Sequence, residues 1–164
     1  MIAELNNFEK LLNGLKITNL AEETECREYF GFNFNVGQLK LKFRKSKITP
    51  KKVGQFVTLW KRDIQQQTIP CSESDNFDFY IFASQQNEKI GYFIFSKRVL
   101  IEKSILSTEH KEGKRGFRLY PTWATTESAQ AKKTQNWQTQ HFIDLTKADE
   151  NHSEKLLLIL SDKT

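Results

Sequence analysis

Phe32, Phe34 and Val36 alternate with Asn33 and Asn35, and after Gly37-Gln38 the alternation resumes as Leu39, Leu41 and Phe43 against Lys40, Lys42 and Arg44. Two period-two runs joined by a Gly-X pair predict a β-hairpin with a type II′ turn. Pairing across that turn sets Val36 against Leu39, Phe34 against Leu41 and Phe32 against Phe43, so every apolar residue falls on one face. The opposite face pairs Asn35 with Lys40 and Asn33 with Lys42, and adds Arg44.

The pattern changes on either side of this hairpin. Ile2, Leu5, Phe8, Leu11, Leu12 and Leu15 recur at spacings of three and four, which predicts an amphipathic helix ending near Gly14. A second short helix is expected through the acidic stretch Glu22 to Tyr29. Thr49-Pro50 reads as an N-cap followed by proline at the first helical position, with Val53, Phe56, Val57 and Trp60 as a helical stripe. Gly54 and the β-branched content leave a strand over the same residues as the alternative. Phe77 to Ala83 and Ile90 to Phe95 are apolar on both faces and predict strands in the middle of a sheet. Ser96 is placed to cap a helix, Phe117 to Tyr120 forms a short strand stopped by Pro121, and Thr125 or Thr126 would cap a polar helix running to about Ile143. Leu156 to Leu160 closes the chain as a strand or helix end. No repeat, low-complexity tract or linker interrupts the 164 residues. One α+β domain over 1–164 follows, a mainly antiparallel sheet with helices from the N- and C-terminal parts packed on it.

Composition sharpens this picture. Thirteen Phe residues imply an aromatic-rich sheet core. No run approaches the ~18 apolar residues that a membrane-spanning helix requires. The start Met1-Ile2-Ala3-Glu4 lacks the basic and apolar segments of a signal peptide. Cys26 and Cys71 form no CxxC pair, and this fits a reducing, cytoplasmic setting.

Charge is the feature that folding alone does not require. Nine Lys or Arg residues and no Asp or Glu lie between Gln38 and Arg62, against a net charge of +5 for the whole chain. Segments 1–37 and 63–96 are net acidic, and 97–118 is basic again. Segregation of this kind makes a local field that attracts polyanions. On the predicted hairpin, Lys40, Lys42 and Arg44 would form a ridge with cations roughly 6.6–7 Å apart, near the spacing of successive phosphates. If residues 50–60 are helical, Lys51 and Lys52 sit in its first turn. Cations there are unfavourable for the helix and describe an anion site beside free N–H groups.

Lys47-Ile48-Thr49-Pro50 leads into Gly54-Gln55-Phe56-Val57-Thr58-Leu59-Trp60-Lys61-Arg62. Downstream come Lys114-Arg115-Gly116-Phe117-Arg118-Leu119-Tyr120-Pro121 with Trp123, then Lys133-Thr134-Gln135-Asn136-Trp137-Gln138. From about Phe32 to Phe142 these blocks, in this order, resemble the MepB family of small bacterial proteins, named for a gene beside a multidrug-efflux pump. The resemblance implies a cytoplasmic single-domain protein compatible with nucleic-acid binding, and it brings no catalytic motif to carry over.

The basic segments and the family blocks coincide, with Trp60, Phe117, Tyr120, Trp123 and Trp137 interleaved. Trp60 and Phe117 are expected in the core, and Trp137 is the ring best placed for exposure. The expected function is binding of DNA or RNA through the phosphate backbone, with no cofactor and no metal. Its residues are Lys40, Lys42, Arg44, Lys47, Lys51, Lys52, Lys114, Arg115, Arg118, Lys132, Lys133 and Trp137. The loop Gly113-Lys114-Arg115-Gly116 has the Gly-x-x-Gly form of a backbone clamp, although the surrounding element order is not that of a KH domain. Gln135, Gln138 and Gln140 could reach base edges or simply face solvent. A metal-dependent nuclease is the enzymatic alternative, with Asp78, Glu112 and Lys114 as its catalytic candidates. A basic protein-interaction module is the third reading. His110, His141 and His152 are too scattered to suggest zinc.

Overall fold

The computed structural model describes residues 1–148 and 150–162. Its elements in chain order are α1 (Ala3–Leu11), β1 (Ile17–Glu22), a 3₁₀ turn (Thr24–Tyr29), β2 (Phe32–Val36), β3 (Leu39–Lys45), β4 (Lys47–Ile48), β5 (Gln55–Thr58) and β6 (Trp60–Arg62). There follow β7 (Thr68–Pro70), β8 (Phe79–Gln86), β9 (Lys89–Ser96), α2 (Lys97–Glu102), β10 (Gly116–Leu119), α3 (Ala129–Thr139), β11 (Phe142–Asp144) and α4 (His152–Ser161). The α+β class holds.

The β2–β3 hairpin forms in the register that its alternation dictates, from Phe32 opposite Phe43 to Val36 opposite Leu39. Gly37 turns it at φ 58°, and Gln38 keeps a negative φ, as a type II′ turn requires. Six strands form the main sheet in the order β1-β2-β3-β8-β9-β11. Every pairing is antiparallel except β3 with β8, which is parallel. The central pair β8–β9 is apolar on both faces because both are covered. Phe79, Ile81 and Ala83 pack with Leu5, Phe8, Leu156 and Leu160 of α1 and α4 on one side. Tyr80 and Phe82 pack on the other with Val57, Leu59, Leu100, Phe117 and Leu119. A second sheet, β10-β5-β4, and the β6–β7 ribbon lie on that second side of the molecule. Ser96 caps α2 by accepting from the Val99 N–H, as expected.

The helix reading of residues 50–60 is overturned in favour of the strand. Gln55, Val57 and Leu59 are buried while Phe56, Thr58 and Trp60 are partly exposed, a period of two. Pro50 and Lys51 occupy a turn instead of a helix start. The polar helix starts later than expected, with Ser128 as its cap, and ends at Thr139, so that Phe142–Asp144 is free to form the edge strand β11. Leu156 to Leu160 belongs to a helix. Among the described residues no helix is long and apolar enough to cross a membrane.

Candidate nucleic-acid interface

The expected ridge on β3 does not exist as an exposed surface. Alternation sends Lys42 and Arg44 to the face opposite Leu41 and Phe43, but that face is roofed by the 3₁₀ turn and Phe77. Arg44 is fully buried and Lys42 nearly so. Arg44 Nη2 donates to Glu23 Oε2 at 2.6 Å, Lys42 Nζ donates to Glu23 Oε1, and Arg44 Nη1 donates to the Phe43 carbonyl at 2.9 Å. Lys42 also stands 4.5 Å over the Phe77 ring. Burial by itself raises the Glu23 carboxyl, but the Arg44 and Lys42 charges and their hydrogen bonds outweigh it and hold Glu23 below the ordinary carboxylate value. Both cations are therefore structural groups sharing one partly buried counter-charge, and only Lys40 of the three is exposed.

The helix-start anion site at Lys51 and Lys52 falls with the helix. Both lysines are nonetheless exposed, on the turn between β4 and β5. They line a hollow of about 490 Å³ with Thr49, Pro50, Phe56 and Arg118. A second hollow, of about 500 Å³, shares Phe56 and Arg118 and continues between β10 and α3. Its walls include Lys103, Lys114, Tyr120 and Trp137. The two hollows adjoin at Phe56 and Arg118, and the cleft they make is lined by Lys51, Lys52, Lys103, Lys114 and Arg118; among the described residues no acid lines either part. Among the described residues none of these five cations makes an ion pair. That contrasts with Lys45, Lys61 and Arg62, which are held by Glu4, Asp75 and Glu25.

Two features set the cleft's shape. Arg118 projects from β10 toward the turn and donates through both Nη atoms to the Thr49 hydroxyl, at 3.0 Å from Nη1. Its Nε is buried without a protein partner among the described residues. Gln138, fully buried on α3, donates through Nε2 to the Arg118 carbonyl at 2.9 Å and accepts the Tyr120 N–H at 2.8 Å. The amide thus satisfies the open edge of β10 as a neighbouring strand would, and fixes α3 as the far wall. Gln135 is likewise committed inward, donating to the Pro121 and Ala124 carbonyls at 2.8 and 2.9 Å. Neither glutamine is left to read bases; Gln140 is exposed.

Of the remaining sequence candidates, Lys47 is exposed on β4, 4.6 Å over the Tyr29 ring and 3.6 Å from Glu28. Arg115 turns away from the cleft, donating to the Thr68 carbonyl at 3.1 Å and pairing with Glu112 at 3.3 Å. Lys132 and Lys133 are exposed on α3 but line neither hollow. Trp137 does line the cleft, with Lys103 Nζ 5.2 Å from its ring centroid and the Phe95 ring behind it at 5.3 Å. The Gly-x-x-Gly loop is pinned and not a mobile clamp. The Gly113 N–H donates to Ser107 Oγ at 2.8 Å and the Lys114 N–H donates to the Ile105 carbonyl at 2.9 Å.

The nuclease candidates do not assemble. Asp78 accepts the Lys40 N–H at 2.8 Å and serves the β3–β8 junction, whereas Glu112 lines a different hollow from Lys114. Among the described residues no three His, Cys, Asp or Glu side chains cluster as metal ligands. Lys103, Phe56 and the cavity-lining position of Tyr120 are what sequence reasoning missed. The basic balance of 97–118 contained Lys103, but nothing local singled it out from Lys97 or Arg98.

The family model described as MepB-like matches residues 23–144. The chain belongs to the MepB-like family. A solved structure described as the crystal structure of MepB is similar at a TM-score of 0.80 and 30% identity, covering 90% of this chain and 99% of that one. No curated protein matches significantly. The MepB-like match spans all of the cleft's strands and α3, from β4 to Trp137.

Proposed function

We propose that this MepB-like protein binds nucleic acid by its phosphate backbone, along the cleft between the β10-β5-β4 sheet and α3. The observation that supports this reading is that, among the described residues, the cleft is lined by five cations and no acid, and none of the five makes an ion pair. Like charges gathered around two adjoining hollows repel each other and add nothing to folding, so a bound polyanion is the natural counter-charge. Arg118, held in place by its hydrogen bonds to Thr49, contributes a fixed positive charge where the two hollows meet. Lys51, Lys52, Lys103 and Lys114 supply flexible point charges around it. Binding of this kind is salt-dependent, log K falling by roughly 0.7–0.9 per phosphate neutralised on each unit of log salt.

Fluorescence-anisotropy titration with short single- and double-stranded DNA and RNA, at low and physiological salt, tests the proposal. Salt-sensitive binding is expected. Affinity that ignores salt, or no binding to any of the four, refutes it. A parallel incubation with magnesium or manganese, run on a denaturing gel, is expected to leave the strands intact; cleavage would restore the nuclease reading.

A further inference from the structure

The outer face of the β10-β5-β4 sheet repeats one arrangement across its strands. Lys47, Phe56 and Arg118 are cross-strand partners in a single row, so all three project from the same side. The alternate residues Val57, Leu59, Phe117 and Leu119 are buried beneath, which makes this the outward side. Two glycines then bring the aromatic rings down against the sheet. A Cβ at Gly116 would lie 2.6 Å from Cζ of Phe56, and a Cβ at Gly54 would lie 2.8 Å from Cδ1 of Tyr120. Gly54 also has φ +84°, a conformation suited to glycine. The Phe56 ring packs against β10 at Gly116 and the Tyr120 ring against the bend at Gly54, where any side chain would have lifted it. Phe56 sits at the junction of the two hollows, beside Arg118 and across from Lys47.

We propose that this face is a stacking platform for unpaired bases, so that the ligand is single-stranded nucleic acid with Phe56 and Tyr120 as its base-contacting rings. The inference rests on the nucleic-acid reading above and goes beyond it, because backbone gripping alone does not distinguish single strand from duplex. Cations flanking an aromatic on a sheet surface match what unpaired strands need: charge for successive phosphates and a ring face for the base between them. A duplex offers no free base face, and its rings would leave Phe56 and Tyr120 unused. The hollows on each side of the Phe56–Arg118 pair, of about 500 and 490 Å³, are each large enough to admit a base.

The test compares fluorescein-labelled oligothymidine and oligouridine with an abasic strand of equal length and with the oligothymidine–oligoadenosine duplex, all at low salt. The abasic strand keeps every phosphate and removes the rings. Oligothymidine or oligouridine is expected to bind more tightly than the abasic strand by roughly 5- to 150-fold for each base stacked on a ring. Phe56→Leu should narrow that gap by the Phe56 share, leaving the part held by Tyr120, without weakening abasic binding, and Phe56→Tyr should restore it. Equal affinity for abasic and base-bearing strands, duplex binding as tight as single-strand binding, or a Phe56→Leu loss shared equally by the abasic strand overturns the platform while leaving backbone binding intact. Absence of binding to all of them overturns the nucleic-acid reading and this inference with it.

Discussion

Glu23 is the residue on which the buried charge of β3 depends, and its removal has a calculable cost. The side chains of Arg44 and Lys42 are 0% and 10% exposed, and Glu23, at 22%, is the acid that both contact. Glu23→Ala leaves two cations under the 3₁₀ turn without a counter-charge, and breaking such pairs typically costs 3–5 kcal/mol. Because Glu23 keeps some contact with water, the low end applies, about 3 kcal/mol. For a chain of this length that corresponds to a fall in Tm of roughly 6–12 °C, or about 1.5 M in the urea midpoint at a slope near 2 kcal/mol/M. Glu23→Gln, which keeps an acceptor and loses the charge, should fall between. Sign and pH follow from the depressed Glu23 carboxyl. A carboxyl lowered by folding contributes stability that is present above its unfolded value of ~4.3 and lost as pH falls through the folded value. The difference between wild type and Glu23→Gln should therefore be full at neutral pH and shrink on acidification below about pH 4. Urea unfolding by circular dichroism across that pH range measures it. A loss under ~1 kcal/mol at neutral pH, the size expected of exposed pairs, would refute the argument that this cluster is desolvated and structural.

Three further outcomes are expected. Gln138→Leu strands the Arg118 carbonyl and the Tyr120 N–H, so urea unfolding should show a loss of about 2 kcal/mol, and affinity for oligonucleotide should fall as the α3 wall loosens. Gly91→Ala would put a Cβ 2.2 Å from Cζ of Phe142 and 2.7 Å from the Ile143 carbonyl, so overpacking between β9 and β11 should cost about 1–3 kcal/mol in thermal unfolding. Burial raises the thiols of Cys71, to about 11, and of Cys26, so at pH 8 neither should react rapidly with a thiol-specific disulfide reagent until denaturant is added; a fast native-state phase would contradict their burial.

How much of this was legible depended on whether local pattern and tertiary cover agreed. The β2–β3 hairpin was readable down to its register because Gly37 and six alternating apolar residues specify the same pairing. Its polar face was misjudged for a physical reason: alternation reports which side a residue takes, not whether that side meets water. The signal for a roof lay in the acids of 22–28, since Glu23, Glu25 and Glu28 now pair with Lys42 and Arg44, with Arg62 and with Lys47. Thr49-Pro50 and the stripe from Val53 to Trp60 mimicked a helix start. The competing strand pattern won because Val57 and Leu59 gain a core face alongside Phe117 and Leu119. Strands β1 and β11 left little trace, being edge strands, the first almost wholly exposed and the second only three residues long. As for the site, its charges were visible in composition, but sorting cleft-lining lysines from paired ones required the fold. Lys51, Lys52, Lys114, Arg118 and Trp137 came together; Lys42, Arg44 and Arg115 went elsewhere.

If the cations of the cleft hold phosphates, the salt slope of binding counts them. Wild type and a Lys51→Gln/Lys52→Gln/Lys114→Gln variant should be titrated with one oligonucleotide over a series of salt concentrations. A control variant would lose the same charge at Lys10, Lys89 and Lys147, none of which lines the cleft. If the three cleft lysines each neutralise a phosphate, the slope of log K against log salt should become shallower by roughly 2–3 in the cleft variant. It should stay at the wild-type value in the control. Equal slopes for wild type and the cleft variant, or equal losses in both variants, would contradict the account and move the binding surface elsewhere on the molecule.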